Sequence, residues 1–133
     1  MRRSESTLRE PPAFSPKVLY AIDAWSSDEE VHDVVELVAI ARDAVEAGGG
    51  HCLRDCLVEF PNGAVTLVLI LAESHLSIHT WPEESLVAID LFSCGRIDGD
   101  AVIRELTSRL RLRGVSTRRM ERGADATPVD GVG

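Results

Sequence analysis

Two apolar runs, at residues 64–72 and 86–92, constrain the fold of this chain more than any other feature of the sequence. Each run is short and nearly continuous, which is typical of a buried strand. Residues 76–81 lie between them and predict a third strand, which the Pro82-Glu83-Glu84 turn joins to the second run. Because no helical segment separates these strands, we expect them to pair as an antiparallel sheet.

Three further strands are predicted at residues 18–24, 52–60 and 115–122, and two amphipathic helices lie between them. The first helix opens with a capping box, in which Ser27 is the N-cap and Glu30 reaches back to it. Its end is set by Gly48-Gly49-Gly50, and the second helix begins at Asp98 or Asp100. Apolar residues recur at helical spacing in both, at Val31, Val34, Val35, Val38, Ala41 and Val45, and at Val102, Leu106 and Leu110.

The fold class that follows is α+β, an antiparallel sheet with both helices on one face. The other face of the sheet would then lack a cover, which favours a dimer. At 133 residues the chain has the length of a single domain, and we expect that domain to span residues 17–122. The polar, proline-containing segment 1–16 and the last residues, 123–133, predict flexible tails.

Charge and cysteine usage narrow the classes of function. The formal net charge of -8 argues against a nucleic-acid partner, because phosphates call for a basic surface. No apolar run approaches the length of a membrane span, and the first residues lack the apolar core of a secretory signal. Three cysteines, an odd count, indicate reduced thiols. We therefore expect a cytoplasmic protein that acts on a small molecule.

Reactive side chains are concentrated in and just beyond the segment between the apolar runs. Ser74 follows Glu73, and its hydroxyl could attack the preceding carbonyl, a reaction that backbone strain would assist. His79 lies an odd number of positions further on, so strand alternation places it on the opposite face of the sheet from Ser74. A turn or bulge at Ser74-His75 is required if the two are to meet. His75 lies on the face of His79 and has a weaker claim to a catalytic role.

Metal binding is not expected from this sequence. His51, Cys52 and Cys56 supply ligand atoms, as do His75 and His79, but no Cys-x-x-Cys pair or His-Glu-x-x-His helix is present. In a strand, the side chains of residues 75 and 79 would lie about 13 Å apart, which is too far for one ion.

Three segments carry a resemblance to a known family: Glu73-Ser74-His75, Ile78-His79-Thr80-Trp81-Pro82-Glu83 and Phe92-Ser93-Cys94-Gly95. They resemble the signature of the bacterial S-adenosylmethionine decarboxylase proenzymes, which are pyruvoyl enzymes of polyamine synthesis. The resemblance implies that the Glu73–Ser74 bond cleaves itself, giving a β chain of residues 1–73 and an α chain of residues 74–133. Ser74 would then become the pyruvoyl cofactor, which forms a Schiff base with the substrate.

The resemblance also implies roles for individual residues. His79 would be the base of the elimination step in processing, which suits an imidazole. Cys94 would return a proton to the substrate carbon after CO2 leaves. Glu83 would contact the ribose hydroxyls of the substrate, and Phe60 would stack on its adenine. Thr66 lies where the family usually has a serine that helps the ester step.

The same resemblance implies a homodimer that packs sheet to sheet as an α/β/β/α sandwich, and an enzyme that makes the aminopropyl donor for spermidine from S-adenosylmethionine. The sequence departs from the family elsewhere. Residues 17–27 lack the Gly-x-His start and the aromatic-Gly-Cys end of its first strand, and Val58 stands where a histidine is usual. Two alternatives therefore stay open: the same chemistry on ornithine or arginine, or an uncleaved relative that regulates a partner.

Overall fold

A computed structural model of the chain describes residues 16–27, 31–123 and 125–127. Of the predicted tails, 1–16 lies outside the described residues except for residue 16, and 123–133 except for residues 123 and 125–127. Six strands and two helices follow one another as β1 Lys17–Trp25, α1 Val34–Ala47, β2 Cys52–Glu59, β3 Val65–Leu71, β4 Ser74–Trp81, β5 Leu86–Cys94, α2 Gly99–Arg109 and β6 Arg113–Arg122. A 3₁₀ turn, Pro82–Glu84, joins β4 to β5.

The six strands form one sheet in the order β2-β3-β4-β5-β1-β6, and every neighbouring pair is antiparallel. The run β2 to β5 is a meander whose strands are joined by short turns, as the closeness of the apolar runs predicts. β1 and β6 then complete the sheet beside β5, with α1 and α2 as the longer connections.

Burial alternates along the central strands, so the sheet has one covered face and one open face. Every second residue of β1, β3 and β5 is buried, and in β4 Leu76 and Ile78 are fully buried. These side chains form one core with the apolar sides of the helices, including Leu37 and Ile40 of α1 and Leu106 of α2. Burial of each large side chain contributes about 1.5–3 kcal/mol. The prediction of an α+β fold with both helices on one face is confirmed.

The open face carries large apolar side chains that nothing in the described chain covers. Strand register places on this face the exposed side chains of Trp25, Val58, Ile70, Trp81 and Met120. Trp25 and Met120 are 53% and 58% exposed, an unusual state for such residues. No helix among the described residues is long and apolar enough to cross a membrane.

Two element boundaries differ from the prediction. The N-cap of α1 is Asp33, whose carboxylate accepts from the N–H groups of Val35 and Glu36, so the predicted cap at Ser27 is wrong. Its predicted partner, Glu30, lies outside the described residues.

At the other helix, Asp98 caps α2 as one of the two predicted candidates. β4 begins at Ser74 rather than at residue 76, which places that serine directly in the sheet.

Candidate active site

The connection between β3 and β4 consists of just two residues, Ala72 and Glu73. Leu71 pairs with Ser74 across this turn, and closing it so tightly leaves Glu73 with φ of 60°, in the left-handed region. A side chain with a Cβ costs about 1–2 kcal/mol in that conformation. The backbone is therefore strained at the residue whose carbonyl precedes Ser74.

Ser74 and Cys94 meet at one end of the sheet. Antiparallel pairing of β4 with β5 sets His75 opposite Phe92, so the first residue of β4 lies beside the last residues of β5. The Ser74 hydroxyl, in a residue only 8% exposed, lies 3.6 Å from the Cys94 Sγ and accepts from the Cys94 N–H at 3.3 Å. The thiol in turn lies 4.0 Å from the Ala72 carbonyl oxygen. Two of the predicted catalytic residues are therefore in direct contact.

A cavity of about 350 Å³ opens beside this pair. Asp98 N–H donates to the Gly48 carbonyl at 2.9 Å, which ties the glycine-rich end of α1 to the loop after β5. The cavity is lined by Gly49, Gly50, His51, Ala72, Glu73, Cys94, Arg96 and Ile97. Its volume lies in the range of small-molecule sites, and both Glu73 and the Cys94 thiol line it. We call Ser74, Cys94 and the residues that line this cavity the Ser74 cluster.

A second group forms around His79 on the open face of the sheet. Thr66 pairs with His79 across β3 and β4, and the Thr66 Oγ1 lies 3.1 Å from the His79 Nδ1. A cavity of about 380 Å³ is lined there by Phe60, Asn62, Ala64, Val65, Thr66, His79, Thr80 and Trp81. The Asn62 side-chain amide donates to the Glu83 carboxylate at 3.3 Å. The structure thus brings Phe60, Thr66, His79 and Glu83 together, and we call them the His79 cluster.

The two clusters lie apart within one chain. Pairing of β3 with β4 is regular from Leu71 and Ser74 to Thr66 and His79, so the turn or bulge required at Ser74-His75 is absent. Ser74 and His79 consequently point to opposite faces, with their Cα atoms about 17 Å apart at the rise of a strand. His75 lies on the open face, stacked on Phe92 with 5.9 Å between ring centroids.

Sequence reasoning missed three lining residues, Arg96, His51 and Asn62. Asn62 belongs to the Pro61-Asn62-Gly63 turn, whose chemistry predicts a turn but not a contact with Glu83. Arg96 directly follows Cys94-Gly95, and this position beside a predicted catalytic cysteine could have indicated that Arg96 belongs to the site. In the part of the chain that the structure describes, no three His, Cys, Asp or Glu side chains are grouped as a metal site would require.

Comparison with known proteins identifies the architecture. A family model described as S-adenosylmethionine decarboxylase matches residues 19–123. The S-adenosylmethionine decarboxylase proenzyme of Symbiobacterium thermophilum is 38% identical over 99 residues, covering 74% of this chain and 75% of the relative. The S-adenosylmethionine decarboxylase proenzyme of Thermoplasma acidophilum is 39% identical over 104 residues, covering 76% of this chain and 79% of the relative. The crystal structure of the adenosylmethionine decarboxylase from Aquifex aeolicus superposes with a TM-score of 0.75 at 23% identity, over 89% of this chain and 99% of that one, and so shares its fold.

Proposed function

This chain belongs to the S-adenosylmethionine decarboxylase family, and we propose that it is a proenzyme that cleaves itself between Glu73 and Ser74 and then decarboxylates S-adenosylmethionine. The observation that carries the proposal is the contact between the Ser74 hydroxyl and the Cys94 thiol, 3.6 Å apart, beside the strained Glu73. The hydroxyl serves processing, and the thiol serves turnover.

Processing begins with attack of the Ser74 Oγ on the Glu73 carbonyl carbon. The new C–O bond replaces the peptide C–N bond, and the hydroxyl proton passes to the released amine of Ser74, giving an ester. The Cys94 N–H, 3.3 Å from the Ser74 Oγ, holds the nucleophile in a buried position, and cleavage releases the strain at Glu73. A base then removes the Cα proton of Ser74, which expels the Glu73 carboxylate and leaves dehydroalanine. Tautomerisation to an imine, addition of water and loss of ammonia give the pyruvoyl group.

The base of this elimination is His79 of a partner protomer. His79 cannot serve the Ser74 of its own chain, because the two lie about 17 Å apart on opposite faces of one strand. Its Nδ1 is paired with the Thr66 hydroxyl, which fixes the ring and leaves Nε2 for proton removal. Two copies that pack their open faces together in antiparallel fashion would bring each His79 to the end of the partner's sheet at which β4 begins, where it would approach the Cα proton of Ser74 from the open face, opposite the Ser74 side chain. The exposed apolar side chains of that face favour such packing, which gives the α/β/β/α sandwich.

The residues around Ser74 fit a pyruvoyl group. Ser74 supplies its atoms, Cys94 contacts them, and the adjoining cavity of about 350 Å³ gives a small molecule access. A pyruvoyl carbonyl takes up the α-amino group of an amino-acid substrate and accepts the electrons that are left when CO2 departs. Cys94 stands next to that position with a thiol, so it is the proton donor to the substrate carbon.

The His79 cluster favours an adenosine-containing substrate over a basic amino acid. Phe60 and Trp81 line its cavity with aromatic faces, which suit both an adenine ring and the positive sulfonium of S-adenosylmethionine. Glu83, held by Asn62 at 3.3 Å, offers a carboxylate to ribose hydroxyls. The side chain of ornithine or arginine would instead meet the cationic Arg96 in the cavity beside Cys94. The product would be decarboxylated S-adenosylmethionine, the aminopropyl donor for spermidine.

Proton donation by Cys94 requires a reduced thiol. The three cysteines, Cys52, Cys56 and Cys94, are all free. A reducing compartment keeps such thiols available, so we place the enzyme in the cytoplasm.

The test measures release of labelled CO2 from carboxyl-labelled S-adenosylmethionine. Carboxyl-labelled ornithine and arginine are assayed in the same way as the alternative substrates. We expect release from S-adenosylmethionine alone, and none from the Ser74→Ala variant. Release from ornithine or arginine in preference would change the substrate and keep the chemistry. A chain that stays uncleaved and inert towards all three would leave only the regulatory function.

A further inference from the structure

Self-cleavage, on which this inference rests, creates a charge that the uncleaved chain does not have. The β chain ends at Glu73, so an α-carboxylate appears beside Cys94, where the peptide bond had been. A substrate amine must approach the same position from the cavity. The new chain end therefore has to move away from the pyruvoyl group, and something has to hold it there.

Two side chains that can donate hydrogen bonds to a carboxylate line the cavity into which this chain end opens, Arg96 and His51. Arg96 is exposed, and within the described residues it forms no salt bridge, whereas Arg42, Arg109 and Arg118 each pair with an aspartate. His51 is 75% exposed and lies 3.7 Å from the Glu46 carboxylate. Before cleavage Glu73 is the one acidic residue, among those that the structure describes, that lines this cavity with them.

We propose that Arg96, with His51 beside it, binds the new C-terminal carboxylate of Glu73 and holds the cleaved end clear of the catalytic centre. Ala72 and Glu73 are exposed, so the freed end can move without unpacking the core. Once the bond is cut, Glu73 can leave its φ of 60°, which turns the chain end away from Ser74. A guanidinium binds a carboxylate through two parallel hydrogen bonds, which a lysine ammonium cannot reproduce.

The experiment measures how fast a carboxypeptidase trims the β chain of the cleaved protein. Time courses are followed by mass spectrometry for wild type, Arg96→Gln and the matched control Arg104→Gln, which removes an exposed arginine outside this cavity. An anchored C-terminus is protected, so Arg96→Gln should be trimmed about two- to fivefold faster, the factor that an exposed ion pair provides. Arg104→Gln should be trimmed at the wild-type rate, and Arg96→Lys at a rate between those of wild type and Arg96→Gln.

Salt gives a second readout that needs no variant. Protection of the wild-type β chain should weaken as ionic strength rises, after correction for trimming of a free peptide ending in Ala-Glu. Equal trimming of wild type and Arg96→Gln, or protection of wild type that is indifferent to salt, overturns the anchoring role. Intact mass before digestion separates this failure from failure of the proposed function, because a wild-type chain that never cleaves has no C-terminus at Glu73.

Discussion

Complementation between two inactive variants tests whether each active site is built from two protomers. One variant, Ser74→Ala, lacks the nucleophile, and the other, His79→Ala, lacks the base. Each should fail to form a pyruvoyl group when expressed alone. In a mixed dimer, the His79→Ala chain keeps Ser74 and meets the intact His79 of its partner, so this one site of the two is complete.

The expected fraction of processed His79→Ala chains follows from the geometry of one chain and from random pairing. Within one chain, about 17 Å and the sheet itself separate Ser74 from His79, so a chain cannot rescue itself. With equal expression and random pairing, about half of the His79→Ala chains fall in mixed dimers, and about half should therefore be processed. No Ser74→Ala chain should be processed at all.

The assay is co-expression with a size tag on one variant, followed by denaturing gel and mass analysis of each chain. The matched control replaces the Ser74→Ala partner by a chain that carries both Ser74→Ala and His79→Ala, which leaves no His79 anywhere. Processing of His79→Ala chains in that control, or none in the original mixture, would refute a base supplied by the partner.

Three further predictions follow from individual contacts. His79→Ala alone should stop at the ester, because elimination lacks its base, and hydroxylamine should then cut the chain before Ser74; normal pyruvoyl formation would count against the assigned role. Cys94→Ala should still cleave but release CO2 about 10²–10⁴-fold more slowly, the usual cost of losing a general acid; an unchanged rate would make Cys94 a packing residue. Gly99→Ala would place a Cβ 2.3 Å from the buried Tyr20 ring, so denaturant unfolding should show a loss of about 1–3 kcal/mol, and an unchanged midpoint would contradict the packing.

Strand positions were predictable from this sequence because most of the strands coincide with short apolar runs. The apolar run at 64–72 became β3, and the segment after it paired with both apolar runs, which set β4 beside β5. That pairing is what brings Ser74 to Cys94. The helix start was predicted wrongly because two capping signals compete, and Asp33 makes the hydrogen bonds that Ser27 was expected to make.

The division of the site into two clusters could not be predicted with certainty, because strand alternation separates Ser74 from His79 whereas the family resemblance implies that His79 acts on Ser74. Alternation along β4 places Ser74 and His79 on opposite faces, and the structure keeps them there without a bulge. Under the proposed dimer this separation is no defect, because a second copy would supply the missing His79. Arg96 and His51 could not be placed from the sequence, because their meeting depends on how the end of α1 packs against the loop after β5.

Intact mass of the purified protein tests the central claim most directly, because it reports both self-cleavage and the group that cleavage creates. We predict two species, residues 1–73 with an ordinary carboxyl terminus and residues 74–133 lighter by one ammonia than a chain that begins with serine. A single species of residues 1–133 that persists after prolonged incubation, with Ser74 unmodified, would contradict the account.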